Sequence, residues 1–368
     1  MDRWEELFRP PNLDSIASPR NAIHTGKIVL VTGAGGSIGS ALARAIATAN
    51  PRFLILLDHS EENLYQVEMK LERRAGNVPR AAILGDISDG ELLREMFEER
   101  CPEIIYHAAA YKHVPLMEEN PLAVFRNNVM GTQVLAETAA EYEVPRFLMI
   151  STDKAVNPRS VMGVSKRIAE LLLLRLSSPK TQPSAVRFGN VFGSNGSVVP
   201  RFLEQIESGG PVTVTDAEAS RYFITLPEAV EIILEAVSQP GSGIFVPKLG
   251  AQAKILDLAK RMIADAQRAT GKQIQLQFVG LRPGEKMSEE LVSESESVTA
   301  TDDLEMYRVS GPRIENTKLD SAIGKLTEGV KERKLSEVME IVSELVPEYL
   351  PSESVSANAN RLTVRVRT

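Results

Sequence analysis

The sequence predicts an α/β protein, a doubly wound parallel sheet followed by a smaller mixed α/β lobe, and three features carry that prediction. Short continuous apolar runs alternate with amphipathic stretches through the first half of the chain, as in parallel strands covered by helices on both faces. A glycine-rich segment, Thr32-Gly33-Ala34-Gly35-Gly36-Ser37-Ile38-Gly39, joins the first apolar run to the first amphipathic stretch. After Phe188 glycine and proline become frequent (Gly189, Gly193, Gly196, Pro200, Gly209, Gly210, Pro211) and the strand–helix rhythm loosens.

Taken in order, residues 1–26, which include FRPPNLD, read as an N-terminal arm. Strands are predicted over Lys27–Thr32, Arg52–Asp58, Ala81–Gly85, Glu103–His107, Arg146–Ser151 and Ser184–Phe188, each a short apolar run. Helices are predicted between them over Ser40–Ala49, Asn63–Arg74, Leu92–Arg100 and Gly131–Tyr142. Residues 27–188 then make a Rossmann-type domain, and 189–350 a substrate-binding lobe with some return to the core. The Ser/Asn-rich stretch 351–368, ending in RLTVRVRT, reads as a flexible tail. Arm and tail together make a homo-oligomer plausible.

Composition removes several function classes. The chain has 368 residues, 43% hydrophobic and 25% charged, enough for a self-sufficient core. Its 42 basic and 49 acidic residues give a net charge of −7, which argues against nucleic acid as a partner. The single cysteine, Cys101, excludes an internal disulfide and a zinc-finger framework. No two of His24, His59, His107 and His113 stand at His-x-x-x-His spacing, so no metal is expected. The longest apolar runs, around Phe53–Leu57 and Leu171–Leu174, fall far short of the ~20 residues a bilayer needs. No membrane insertion is expected, and the acidic start lacks a signal-peptide h-region, so the expected location is cytoplasmic.

The glycine segment follows a predicted strand and opens a predicted helix, the context in which such a turn carries a dinucleotide. Gly33, Gly35, Gly36 and Gly39, with Ser37 and Ile38, let the backbone approach a pyrophosphate at the helix N-terminus. Asp58 ends the second strand, where an acid binds a ribose 2′-hydroxyl and repels a 2′-phosphate, favouring NAD over NADP. Asp86 and Ile87 close the third strand and are read as adenine contacts, the alternative being a strand-end turn with Asp86 as a cap. Ala108, Ala109 and Ala110 end the fourth strand and leave room for a cofactor, with Lys112 and His113 projecting above the site as substrate contacts. His107 reads as structural.

Beyond these, Ser151-Thr152-Asp153-Lys154-Ala155 precedes Met162-Gly163-Val164-Ser165-Lys166. The arrangement resembles the extended short-chain dehydrogenase/reductase superfamily, in which a Tyr lies four residues before the Lys. Here Met162 stands at the Tyr position, and a thioether cannot exchange a proton. TGAGGSIG, HAAAYKHVPLMEENP, NNVMGT, STDKAVNPRSVMGVSK, VRFGNVFGSNGSVVPRF, SRYFIT and LRPGEK together resemble the nucleotide-sugar 4,6-dehydratases of bacterial polysaccharide biosynthesis, and more closely the branch acting on UDP-N-acetylglucosamine. The likeness spans about residues 10–295. In that family Met-x-x-x-Lys members retain the configuration at C5 and Tyr-x-x-x-Lys members invert it, so the resemblance implies the retaining type.

The implied reaction oxidises C4 with NAD, eliminates water across C5–C6 and returns the hydride to C6, with a UDP-sugar as substrate. Asp153 is then the candidate acid for the departing water and Lys154 the base at C5. Both can face one sugar only if the chain turns there, because neighbours on a regular strand point to opposite faces. Asn157-Pro158 favours such a turn. Thr152 is the nearby hydroxyl for the C4 oxygen, and Lys166 is expected to hold the nicotinamide ribose. In the second lobe Asn190, Arg221 and Arg282 are read as diphosphate or sugar contacts, Glu285 as a ribose contact, and Val199 as packing on the uracil or forming core. A 4-epimerase, a dehydratase of another nucleotide sugar and an inactive NAD-binding regulator are the rival readings.

Overall fold

The structure is a computed structural model that describes residues 19–359 apart from 177, 179, 195, 302–304, 313 and 358. The predicted strands are observed as β1 (Ile28–Thr32), β2 (Phe53–Asp58), β3 (Arg80–Leu84), β4 (Ile104–His107), β5 (Arg146–Ile150) and β6 (Gln182–Val186). They pair in parallel in the order β3-β2-β1-β4-β5-β6. Strand order therefore reverses between β1 and β4, whose carboxyl ends open the crevice where ligands of doubly wound sheets bind. Val29, Leu30 and Val31 have no exposed surface, as expected of a strand covered on both faces.

Helices α1 (Ser37–Ala47), α2 (Glu61–Ala75) and α3 (Gly90–Glu99) alternate with these strands. The first starts earlier than predicted because Gly36 already serves as its N-cap. Two short helices, α4 (Val114–Glu119) and α5 (Pro121–Val124), lead into a π-helical turn, Phe125–Gly131, and then α6 (Thr132–Glu141). The helix that follows β5, α7 (Val161–Arg175), is buried along most of its length.

The second half of the chain is divided. A small lobe is built from short strand pairs: β7 (Asn190–Val191) with β10 (Phe223–Ile224), β8 (Val212–Val214) with β13 (Leu276–Phe278), and β9 (Ser220–Arg221) with β12 (Ala253–Lys254). With α8 (Val198–Glu207) and α10 (Ile255–Thr270) they enclose a core of Phe192, Val199, Phe202, Val214, Leu258 and Met262. The rest returns to the large domain. Helix α9 (Leu226–Ser238) packs Ile233 and Val237 into the core that contains Leu42 and Ile46 of α1. Strand β11 (Gly243–Pro247) joins β6 in parallel, and β15 (Met306–Ser310) and β14 (Ser297–Ala300) extend that edge antiparallel, completing nine strands. Helices α11 (Asn316–Lys331) and α12 (Leu335–Leu345) lay Leu319, Ile323, Val338 and Val342 against Met162, Ile168 and Leu172 of α7.

Within residues 189–350 the apolar faces of α9, α11 and α12 thus find partners on the large domain. The tail reading needs correction at its start. Residues 353–357 are helical, Val355 is fully buried in the α7 cluster, and the Ser352 hydroxyl donates to Glu118. One apolar side chain and one buried acceptor hold this segment down. At the other end, His24 is fully buried and hydrogen-bonded to Tyr106 at 2.6 Å, which pins the close of the predicted arm. FRPPNLD and RLTVRVRT lie outside the described residues. No helix among them is long and apolar enough to cross a membrane, and they contain no cluster suited to a metal.

Candidate active site

The site is assembled at the carboxyl ends of β1, β4 and β5. The chain leaves Thr32 through Gly33, whose φ of +63° is the left-handed conformation that favours glycine. A Cβ there would stand 2.6 Å from the Ala109 nitrogen, so the turn and the Ala108–Ala110 segment are pressed together. Gly39 is equally constrained, since a Cβ would lie 2.1 Å from the Gly33 carbonyl oxygen. No side chain caps the N-terminus of α1 at Gly36, which leaves Ser37 and Ile38 to open the helix beside the turn. Asp58 is buried and accepts from the Gly35 N–H at 2.8 Å and the Ser60 N–H at 2.9 Å, holding the glycine turn against the end of β2.

Two residues read as adenine contacts behave differently. Asp86 is exposed and accepts from the Ser88 backbone and hydroxyl, each at 2.8 Å, in a strand-end turn, while Asp89 caps α3. Ile87 is buried, with its side chain where a Cβ on Gly131 would be 2.7 Å away. It packs the core here rather than offering an open face. His107 is fully buried between the hydroxyls of Thr32 (2.8 Å) and Thr132 (2.9 Å). Burial and then Lys166 push its pKa down to about 3, so it is a neutral structural residue, as expected.

The turn that the pair Asp153-Lys154 requires is present. Asp153–Ala155 forms one turn of 3-10 helix directly after β5, with Thr152 as its cap. The turn brings both side chains to one side: Lys154 Nζ lies 3.0 Å from Asp153 Oδ1, and the Thr152 hydroxyl donates to the same oxygen at 3.0 Å. Asp153 is fully buried, and its Oδ2 has no hydrogen-bond partner among the described residues. Burial pushes this carboxyl up in spite of the neighbouring ammonium. Lys154 moves the other way from the neutral base expected of a dry site. Burial opposes its charge, but Asp153 and then Glu289 outweigh that and hold it protonated.

Lys166 stands on α7, 4% exposed, and makes no hydrogen bond or ion pair with the described residues. Its burial brings the pKa down to about 8, against the opposing pull of Glu170. Met162, one turn before it, is buried in the apolar cluster that joins α7 to α11 and α12, and only its carbonyl bonds, to the Ser165 hydroxyl. Asn128 on the π-helical turn clasps the loop between: it accepts from Tyr111 N and donates to Tyr111 O and Ser165 Oγ. A π-turn that re-aims one side chain is a common device at functional sites.

The remaining candidates scatter. Asn190 reaches the centre, its Oδ1 accepting from Lys154 Nζ at 3.1 Å. The Lys112 and His113 loop is exposed, with the His113 ring against the backbone of Gly196 in the small lobe. Arg221, read as a phosphate contact, donates to the carbonyls of Ser220, Lys286 and Met287 and so anchors that segment. Arg282 and Glu285 bond each other, at 3.0 and 2.6 Å. Val199 sits in the core of the small lobe, the second of its two readings.

Two groups escaped the sequence reading. Glu289, 3% exposed, lies 3.5 Å from Lys154 Nζ and 3.2 Å from Lys286 Nζ. Behind it, fully buried Arg187 joins Glu170 of α7 to Glu296, and donates to the carbonyl of Leu291. The only local signal for Glu289 is its place in an acidic pair, Glu289-Glu290, ahead of Leu291.

The chain has known counterparts in sequence and in fold. Residues 29–311 match the family described as polysaccharide biosynthesis protein, more than half of the chain. The chain belongs to that family. Among curated members of the polysaccharide biosynthesis family, the capsular polysaccharide biosynthesis protein CapD of Staphylococcus aureus is 44% identical over 85% of this chain. The match covers 53% of CapD, so the chain spans about half the length of that relative. The UDP-N-acetylglucosamine 4,6-dehydratase (inverting) of Campylobacter jejuni is 30% identical over 88% of this chain and 94% of its own length. A UDP-glucose 4-epimerase of Rickettsia massiliae is 32% identical over 77% of this chain and 82% of its own. Among solved structures, Pen from Bacillus thuringiensis superposes with a TM-score of 0.72 at 29% identity, covering 78% of this chain and 89% of that one. The family assignment and the fold expected from the sequence therefore agree.

Proposed function

We propose that the chain is a UDP-N-acetylglucosamine 4,6-dehydratase that uses NAD and retains the configuration at C5. The observation that carries this reading is the turn Thr152–Lys154, which holds a buried carboxyl with one free oxygen beside a lysine ammonium. An elimination needs an acid for the leaving hydroxyl and a base for the acidified C–H within one sugar's reach, and this pair supplies both groups.

The residues present fit NAD. The glycine turn is pressed onto Ala109, Asp58 stands at the end of β2, and Lys166 is a buried cation with no hydrogen bond or ion pair among the described residues. Bound NAD would supply the hydride acceptor for C4 and, once reduced, the hydride donor for C6. Lys166 would hold the nicotinamide ribose, and the Thr152 hydroxyl would hold the C4 oxygen. Transfer of one proton across the 3.0 Å contact from Lys154 to Asp153 leaves a neutral amine and a protonated carboxyl. These are the states needed to take the proton from C5 and give one to the departing O6. Burial penalises both charges, but Asp153 and Glu289 outweigh it at Lys154, so this transfer requires that their hold on the ammonium be relieved. Buried Met162 adds no proton-transferring group, consistent with the resemblance to the Met-x-x-x-Lys, retaining type.

The test is incubation of purified protein with UDP-N-acetylglucosamine and no added cofactor, read by mass spectrometry. Loss of one water, with NAD released on denaturation, is the expected result, and proton NMR at C5 then reports the configuration. Isomerisation without loss of mass would favour the epimerase reading that the Rickettsia relative suggests. Bound NAD with no change in this or any other UDP- or dTDP-sugar would favour a binding protein.

A further inference from the structure

The groups around Lys154 come from distant parts of the chain. Its Nζ faces Asp153 Oδ1 at 3.0 Å on its own turn, Asn190 Oδ1 at 3.1 Å on β7, and Glu289 Oε1 at 3.5 Å on the segment after the Arg282–Glu285 pair. Two of the ammonium's three N–H groups are taken by the hydrogen bonds to Asp153 and Asn190, and Glu289 adds an ion pair at 3.5 Å. A base must instead present a lone pair to its substrate. The ion-pair partners of Glu289 among the described residues are Lys154, Lys286 at 3.2 Å and Arg221 at 3.9 Å, and the Asp153 carboxyl is close enough to feel its charge. Its own segment is held by Arg187, which bonds the carbonyl of Leu291 and the carboxylate of Glu296, and by Gln252, which donates to the carbonyl of Glu289 at 2.6 Å. The carboxylate is therefore both buried and fixed in place beside the catalytic turn.

We propose that Glu289 is a positioning residue for Lys154: its buried carboxylate is the ion-pair partner from a distant segment that keeps the amine charged until that contact is relieved. The role rests on the dehydratase reading for its purpose, but not for its physical content, because the contact exists without substrate. An opposite charge within ~4–6 Å raises a lysine's pKa by about one to three units. Neutralising Glu289 should therefore let Lys154 lose its proton at lower pH. The groups that act on Lys154 besides Glu289 are Asp153, Asn190 and Arg221, and a Glu289→Gln variant leaves all of them in place.

The experiment is a carbon-13 NMR titration of the ligand-free full chain carrying Cε-labelled lysine, with the Lys154 signal assigned by its loss in Lys154→Arg. Glu289→Gln is expected to move the Lys154 midpoint down by about one pH unit or more. Glu289→Asp, which keeps the charge but withdraws it by one methylene, is expected to move it less and in the same direction. If Glu289→Gln fails to fold, the Asp variant alone decides. A midpoint unchanged in the folded variants overturns the proposal, whereas a structural role alone would change the melting temperature and leave the midpoint in place. Water loss from UDP-N-acetylglucosamine, measured on the same preparations, separates the two readings. A shifted midpoint without dehydration by the wild type sinks the substrate and spares Glu289, while dehydration with an unshifted midpoint does the reverse.

Discussion

Arg187→Met tests whether the buried charges behind the site are a stability element as well as an anchor. Arg187 has no exposed surface and donates to Glu170 through Nε (2.8 Å) and Nη2 (2.7 Å), and to Glu296 through Nη1 (2.9 Å) and Nη2 (2.8 Å). Methionine keeps the unbranched shape and leaves Arg167 as the guanidinium shared by both carboxylates, beside the Ser151 hydroxyl at Glu170 and the Ser293 N–H at Glu296. Removing one partner from a buried ion pair costs about 3–5 kcal/mol. Glu170 provides a second route to the magnitude. Burial by itself would raise its pKa, but Arg187 and then Arg167 and Ser151 override burial and hold it at about 2, against an ordinary 4.5. That depression is worth about 3 kcal/mol. Because the folded value is the lower one, the stabilisation is complete above the ordinary value and is lost as the pH falls towards 2. At pH 3 roughly 2 kcal/mol of it is gone. Urea unfolding followed by circular dichroism should show the variant about 3–5 kcal/mol less stable than wild type at pH 7, with the gap narrowing by about 2 kcal/mol at pH 3. A loss below about 1 kcal/mol at pH 7, the range of an exposed pair, refutes the reasoning. So does a gap that ignores pH.

Asp153→Asn removes the only candidate acid while keeping its shape, so turnover should fall by about a hundredfold or more with NAD content per chain unchanged. Equal turnover would sink the assigned role. Met162→Leu, a volume-conserving change at a 4% exposed position, should cost less than about 1.5 kcal/mol and leave turnover within a few-fold. A large kinetic loss would show that the thioether does more than pack. Gly33→Ala places a Cβ 2.6 Å from the Ala109 nitrogen at a φ of +63°. It should destabilise by about 1–3 kcal/mol and abolish copurified NAD, seen as loss of absorbance in the supernatant after denaturation. Retention of NAD at wild-type stability would contradict the close approach of the two turns.

The local, repetitive parts of the chain were determined by sequence alone. Apolar runs short enough to be strands, the glycines that only a left-handed turn needs, and the Asn157-Pro158 brake after Asp153-Lys154 act over a few residues, so the parallel sheet and the turn at the site could be read in advance. The same holds for His107, which three small neighbours mark as lying under a crevice. What tertiary structure decided was which charges lose their water. Nothing nearby distinguishes Glu289 from Glu290, yet one is 3% exposed beside Lys154 and the other is exposed. Arg221 and Arg282 look alike as phosphate contacts, but a segment more than sixty residues further on accepts hydrogen bonds from Arg221. Ile87 and Val199 likewise became core once Gly131 and the small-lobe helices closed over them. Helices α11 and α12 come from far along the chain, and their apolar faces join the cluster in which Met162 is buried. Burial depends on which distant element returns to cover a residue, and that is settled by the packing of the whole chain rather than by any stretch of it.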